Sequence, residues 1–378
     1  MRVGIFTNAY RPLISGVVNS VDLIRKGLLR QGHTPFVLAP EFPGYKEQHA
    51  GVWRFRSLSL SRQVQFPLPI PYSPRLFRVI AHMRLDVIHT HHPFLLGEVG
   101  AHFARRLGIP LVYTFHTQLE QYAHYVPLNQ DLVRFLARSS VRAYARKCHC
   151  IICPSPTIRG LLEEYGIRTR VELLPNAIDL EAFAAGRGEG VRARLGLSPE
   201  RVVAIYCGRI AKEKNLELML RAFARARQEE PRAALVLVGD GPELESLRAL
   251  ACQLGQAEHV LFPGRVDYRE IPSYYAAADL FVMTSVTEVK PLAILEAMAS
   301  GLPVVAVAAS GSQDTVTHET DGLLCPHDEE AFRQILVRAL RHDGLRARLG
   351  QAARATAAEY GIERYTRRLL DIYASLKA

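Results

Sequence analysis

The chain has 378 residues, 48% of them hydrophobic and 22% charged, which excludes a disordered tail and fits two domains of about 190 residues each. The formal net charge is +10, unevenly placed: residues 1–175 carry 22 Lys/Arg against 10 Asp/Glu, and residues 176–378 carry 25 against 27. That split excludes a uniformly basic packaging protein and asks which acidic partner the first half meets.

Met1-Arg2-Val3-Gly4-Ile5-Phe6 reads directly as a strand, without the apolar core of a signal peptide. No apolar run approaches the ~20 residues that span a bilayer. Six cysteines in so long a chain fit a reduced, cytosolic compartment rather than a disulfide scaffold. Short Val/Ile/Leu-rich runs predict strands near 2–6, 34–39, 52–56, 86–90, 110–115, 149–153 and 171–174. A second series is predicted near 201–207, 233–238, 259–262, 279–283, 303–307 and 322–325. A segment of helical period follows each run, so the fold class is α/β, with two doubly wound, Rossmann-like domains. The first domain is expected over 1–175 and the second over 176–361. Residues 362–378 are expected to form an amphipathic helix that can cross back to the first domain. Gly186-Arg187-Gly188-Glu189-Gly190 reads as the linker. Cys148, Cys150 and Cys153 could suggest zinc, but no second cysteine pair completes a site, and buried strand cysteines are the better expectation.

Ligands of open parallel sheets bind beyond the carboxyl ends of the strands, so the residues that follow each strand carry the argument. After 201–207 comes Gly208-Arg209-Ile210-Ala211-Lys212-Glu213-Lys214-Asn215, with Asn215 expected to cap the next helix. A glycine, cations and a helix N-terminus together suit a phosphate. After 233–238 comes Gly239-Asp240-Gly241-Pro242, where Gly241 permits close approach and Pro242 fits a first helical turn. It lacks the third glycine of a dinucleotide fingerprint, and no Walker sequence occurs, which disfavours nicotinamide and P-loop enzymes. After 279–283 come Glu288 and, on the following helix, Glu296; carboxylates there suit vicinal hydroxyls of a ribose or hexose. In the first domain a long loop from Thr7 ends at Gly16, whose lack of a side chain lets a ligand approach a helix start near Val17. His91-His92 and His116 follow two strands; local hydrogen bonding is a better expectation for them than metal binding. No Asp-x-Asp occurs to hold a divalent ion on a diphosphate.

Together these motifs resemble a retaining glycosyltransferase of family 4 with the GT-B fold. The residues that carry the likeness are Gly208-Arg209 with Lys214, Gly239-Asp240-Gly241-Pro242, and Glu288 to Glu296 running on through Ser300-Gly301-Leu302-Pro303. The resemblance implies a nucleotide-sugar donor in an interdomain cleft, no metal or other cofactor, and retention at the anomeric carbon. It implies that Arg209 and Lys214 neutralise the diphosphate, that Glu288 meets the donor sugar and that Glu296 meets the ribose. It also places Gly16 against the donor, Val266 near the base and His116 near the reacting carbon. Where many relatives have glycine after the first glutamate, this chain has Lys290-Pro291. Proline removes one N–H, which leaves Leu292 and Ala293 as first-turn donors.

Arg134, Arg138, Arg142 and Arg146 recur every four residues and form one basic stripe on a predicted helix. With the apolar stretch Phe66-Pro67-Leu68-Pro69-Ile70-Pro71-Tyr72 it suits an anionic membrane surface, although the stripe by itself slightly favours an ordinary solvated helix face. The segments His89-Thr90-His91-His92-Pro93 and Tyr113-Thr114-Phe115-His116-Thr117, continuing through Tyr122 and His124, resemble the subgroup that glycosylates diacylglycerol. The partners so implied are a UDP-hexose, diacylglycerol and an anionic membrane, with the enzyme peripheral on the inner face of the cell membrane. Transfer to a soluble acceptor or to another lipid, such as a phosphoinositide, is the alternative. A nucleic-acid binder would use the same cations, but the basic half lacks a recognition module and no nucleic-acid partner is expected.

Overall fold

The structure, a computed structural model, describes residues 1–13, 15–47, 49–58, 67–116, 129–288 and 290–377, without the side chains of Gln130 and Arg134. The chain divides into two compact units, Met1–Ala177 with Ile362–Ala378, and Ile178–Gly361.

In the first unit the strands are β1 (Arg2–Phe6), β2 (Thr34–Pro40), β3 (Val52–Phe55), the short antiparallel pair β4 (Ser57–Leu58) and β5 (Leu68–Pro69), then β6 (Val87–Thr90), β7 (Leu111–Thr114), β8 (Cys150–Cys153) and β9 (Val171–Leu173). Their helices are α1 (Gly16–Arg30), α2 (Pro74–His82), α3 (Leu96–Leu107), α4 (Gln130–Ala145) and α5 (Pro156–Glu164). Among the described residues the parallel sheet runs β3-β2-β1-β6-β7-β8-β9. Chain order reverses between β1 and β6, so the loops after those two strands flank the switch point where α/β sheets take ligands. β6, β7 and β8 are buried along their length, which explains why they read as continuous apolar runs rather than alternating ones. Cys148, Cys150 and Cys153 are buried free thiols; burial pushes the Cys150 thiol up to about 12 and that of Cys153 up to about 11.

The second unit contains α6 (Leu180–Ala184), α7 (Glu189–Arg194), β10 (Val202–Cys207), α8 (Leu216–Glu229), β11 (Ala233–Val238), α9 (Leu244–Gln253), β12 (Val260–Gly264), α10 (Ile271–Ala276), β13 (Leu280–Met283), α11 (Leu292–Ala299), β14 (Val304–Val307), α12 (Ser310–Gln313), β15 (Gly322–Cys325), α13 (Glu329–Arg341) and α14 (Asp343–Ala358). Its parallel sheet runs β12-β11-β10-β13-β14-β15, with the switch point between β10 and β13. The period-two geometry of β10 feeds two cores: Val203, Ile205 and Cys207 face the cluster containing Ile294 and Met298, while Val202, Ala204 and Tyr206 face the one containing Phe223 and Phe332. The glycine-rich segment read as a linker belongs to this unit instead. A Cβ on Gly186 would lie 2.2 Å from the Pro272 carbonyl oxygen, and one on Gly188 2.3 Å from that of Ala276. Its glycines therefore serve tight packing on α10, not flexibility.

The last helix, α15 (Ile362–Ser375), belongs to the first unit. Ile362, Tyr365, Leu369, Ile372 and Tyr373 recur at helical spacing and join the core with Val21, Ile24 and Leu28 of α1. Gly27 makes the contact possible, because a Cβ there would come within 1.9 Å of Thr366 Oγ1. At the rim Arg30 Nη1 pairs with Glu363 Oε1 at 2.5 Å.

Candidate active site

At the switch point of the second unit the loop after β10 is tied to the loop after β13. Thr284, the first residue beyond β13, donates through its hydroxyl to the carbonyls of Lys214 (3.0 Å) and Asn215 (2.9 Å). Ser285 Oγ donates to the Glu213 carbonyl at 3.3 Å, and Asn215 Nδ2 donates to the Thr284 carbonyl at 3.4 Å. Asn215 therefore does not cap α8 with its side chain, contrary to expectation. It adopts the left-handed conformation at φ 51° and spends its amide on the neighbouring loop. This brings two of the sequence-selected residues together: Lys214 Nζ is hydrogen-bonded to Glu288 Oε1 as an ion pair. Arg209 and Lys212 are exposed on the same loop, and no side chain among the described residues pairs with either. The Glu288 carbonyl also accepts from Ser310 Oγ at 3.0 Å, which fixes the backbone on its other side.

Gly241 has a reason the sequence did not reveal. A Cβ there would lie 2.1 Å from the Ile210 carbonyl oxygen, and one on Gly239 1.8 Å from that of Gly208. The two glycines let the loop after β11 close on the Arg209 loop, sealed by Ile210 N–H to the Asp240 carbonyl at 3.0 Å. Their constraint is thus internal to the protein. Pro242 lies in the turn before α9, which starts at Leu244, rather than in a first helical turn. Val266 follows β12, half-buried against the core on the α11 side of the sheet.

Glu296 is buried on α11, and both its oxygens are engaged. Tyr268 donates its hydroxyl to Oε1 at 2.8 Å and Tyr275 donates to Oε2 at 3.2 Å. Burial pushes its carboxyl up to about 7, against the opposing pull of the two hydroxyls. Glu296 is thus held between two tyrosine hydroxyls, a setting its place in the sequence did not announce. The two tyrosines escaped notice because they are on separate elements, one before α10 and one within it.

Lys290 also turns inward. Its ammonium donates to the Asp314 carbonyl at 2.6 Å, at the end of α12, and lies 5.0 Å from the centre of the Tyr360 ring; burial lowers it to about 8. It braces the start of α11. Pro291 precedes the helix at φ −70°, and among the described residues the N–H groups of Leu292 and Ala293 meet no acceptor, as first-turn donors do.

In the first unit the histidines gather at the ends of β6 and β7. His91 Nδ1 lies 2.7 Å from His116 Nε2, the ring centres 5.0 Å apart and the ring planes within 22° of each other, so the two rings meet edge to edge. His89 is fully buried between Tyr373 Oη and Thr114 Oγ1, each at 2.6 Å. Burial lowers His89 and His116 to about 3 and His92 to about 4, and it lowers His91 as well, so the cluster is neutral. Asn8, which the sequence did not single out, stitches the two switch-point loops together. Its N–H donates to His92 Nδ1 (3.1 Å), its amide donates to the Phe94 carbonyl (2.9 Å), and its Oδ1 accepts from Leu96 N–H (3.0 Å). Gly16 is exposed as the first residue of α1, one residue earlier than expected, behind the Ser15 cap.

The basic stripe is only partly free. Arg142 Nε donates to the Tyr165 carbonyl at 2.7 Å and the Arg138 guanidinium sits 5.3 Å above the Tyr165 ring, so both hold the end of α5. Arg146, which ends α4, is exposed and lines a depression of about 490 Å³ with Arg142, Arg168 and Glu164. What the stripe reading overlooked is apolar: Leu132, Phe135 and Leu136 are 51%, 65% and 54% exposed at i, i+3 and i+4. Tyr122, His124 and the side chain of Arg134 lie outside the described residues, as does Phe66. Among the described residues no helix is long and apolar enough to cross a membrane.

Two family descriptions match the chain: Glycosyltransferase Family 4 over residues 14–182, and Glycosyl transferases group 1 over residues 189–356. An alpha-monoglucosyldiacylglycerol synthase of Streptococcus pneumoniae is 32% identical over 81% of this chain and 71% of its own. A synthase of the same name from Acholeplasma laidlawii is 29% identical over 100% of this chain and 97% of its own. A GDP-mannose-dependent alpha-mannosyltransferase of Mycobacterium tuberculosis is 31% identical over 90% and 88%. Among solved structures, Anabaena HepE in complex with UDP and glucose superposes with a TM-score of 0.82, at 22% identity and 100% coverage of both chains. With two parallel α/β units, a loop pair pinned at the switch point and these relatives, the chain belongs to glycosyltransferase family 4 and is a glycosyltransferase of the GT-B fold.

Proposed function

We propose that the protein is a retaining, metal-independent enzyme that transfers a hexose from a UDP-sugar to diacylglycerol at a membrane surface. The observation that carries the donor half is the pinned loop pair of the second unit, where Arg209, Lys212 and the Lys214–Glu288 pair share one switch point. Breaking the anomeric bond leaves negative charge on a diphosphate, and preorganised cations with the first-turn N–H groups of Leu292 and Ala293 would stabilise it. Glu288 would accept from hydroxyls of the sugar and Glu296 from the ribose, Val266 would lie near the base and Gly16 against the donor. His116 would lie at the reacting carbon, with front-face attack assisted by the leaving phosphate.

The acceptor half is supported by the relatives named for glucosyldiacylglycerol synthesis and by the exposed Leu132-Phe135-Leu136 face on the more basic unit. Such a face can sit at the lipid boundary while nearby arginines add ~1 kcal/mol each at an anionic surface. The GDP-mannose-dependent relative keeps a guanine donor as the second reading. UDP-glucose, UDP-galactose and GDP-mannose, each offered with dioleoylglycerol in mixed micelles and read by mass spectrometry, decide between them. A hexosyl-diacylglycerol from a UDP-sugar is expected. Product from GDP-mannose alone, or only from soluble acceptors, rejects the proposal.

A further inference from the structure

His91 is 2% exposed, and among the described residues no carboxylate faces it; besides His116, the titratable groups beside it there are His89, its ring 4.5 Å away, and His92. His89 is itself fixed at both nitrogens by Tyr373 of α15 and Thr114 of β7. With both rings neutral, only one proton can lie between His91 Nδ1 and His116 Nε2. The other His91 nitrogen settles which ring supplies it. His91 Nε2 is buried with no hydrogen-bond partner among the described residues. If His116 donated, His91 would carry its proton on Nε2, as a buried N–H with nothing to accept it. A buried orphan donor is rarer in folded proteins than a buried bare acceptor and costs about 1–3 kcal/mol. The proton therefore belongs on His91 Nδ1, and His116 Nε2 accepts.

We infer that His91 is a positioning residue that fixes the tautomer of His116, leaving His116 with its proton on Nδ1 as the donor it can offer a ligand. The inference rests on the reading of His116 as a group near the reacting carbon only for its catalytic consequence; the tautomer stands on the geometry alone. His116 would act as a hydrogen-bond donor to a hydroxyl or carbonyl oxygen of the substrate, not as a base.

Nitrogen-15 spectra of the whole chain labelled at its histidine rings, with His116 assigned by its loss in His116→Gln, test the tautomer directly. The expected result is a protonated Nδ1 and a bare, hydrogen-bonded Nε2 on His116; a protonated Nε2 overturns the inference. In His91→Phe no donor faces His116 Nε2, so its nitrogen signal should lose the shift of a hydrogen-bonded acceptor and the ring should no longer be held in place. Turnover of UDP-glucose with dioleoylglycerol should fall about 10- to 100-fold, with KM for UDP-glucose held within about 3-fold. His91→Asn puts an amide N–H near the position of Nδ1 and should restore most of the turnover. A folded His91→Phe protein, by circular dichroism, with normal turnover and unchanged His116 signals overturns the inference. His116→Ala separates the two claims. If that variant turns over normally, the catalytic reading of His116 fails, and the spectra alone decide the tautomer.

Discussion

Replacing Glu296 by glutamine isolates the effect of burying a carboxyl between two tyrosines. The ordinary carboxyl value is 4.5, and burial raises Glu296 to about 7 in the folded protein. The folded state therefore binds this proton more tightly than the unfolded one. Its contribution to stability is fully present below pH 4.5 and is lost as pH rises through about 7. At ~1.4 kcal/mol per pH unit, the loss is roughly 3 kcal/mol. Glutamine keeps the shape, accepts from one tyrosine and donates to the other, and does not ionise. Glu296→Gln should match the wild type at pH 4.5 and exceed it by roughly 3 kcal/mol at pH 8.5. Urea titrations followed by circular dichroism measure the difference. Fluorescence of the single tryptophan, Trp53, which is in β3, reports the first unit separately. Equal stability differences at the two pH values would refute the argument. The same variant should weaken UDP-sugar binding if Glu296 meets the ribose.

Arg209→Ala and Lys214→Ala should each lower turnover by at least ~10²-fold, as loss of other transition-state donors does, and near-normal turnover in both would reject the phosphate role. Gly241→Ala places a methyl 2.1 Å from the Ile210 carbonyl oxygen, so the loop after β11 must withdraw. A loss of about 1–3 kcal/mol in urea titrations is expected, together with weaker donor binding. Leu132→Ser with Phe135→Ser and Leu136→Ser should abolish sedimentation with phosphatidylglycerol vesicles and leave thermal unfolding unchanged, since all three side chains are exposed. Raising salt should weaken vesicle binding of the wild type, and duplex DNA should not compete.

The strands were legible because parallel sheets covered on both faces make each strand a continuous apolar run, as in Val202–Cys207 and Ala233–Val238. The pair β4–β5 was not, since two residues a strand carry no periodicity. Within the site, Arg209, Lys214 and Glu288 stood out because charge beyond an apolar strand is conspicuous in a linear reading. Thr284, Asn8, Tyr268 and Tyr275 did not. Their importance lies in hydrogen bonds to partners between 21 and 88 residues away, which no local pattern encodes. The glycine-rich segment 186–190 misled for a related reason, since glycine marks close packing as well as flexibility, and only the neighbouring helix shows which.

The attachment of α15 to the first unit has a consequence for synthesis. Chains emerge from the ribosome N-terminus first at about 5–20 residues per second, and domains usually complete in that order. Here the core of the first unit includes Ile362, Leu369 and Tyr373, and His89 gains one of its two partners only when Tyr373 arrives. The second unit, continuous from Ile178 to Gly361, has all its residues sooner. The half of the enzyme made first is therefore the half finished last, and the histidine cluster is among the last parts of the nascent protein to be sealed.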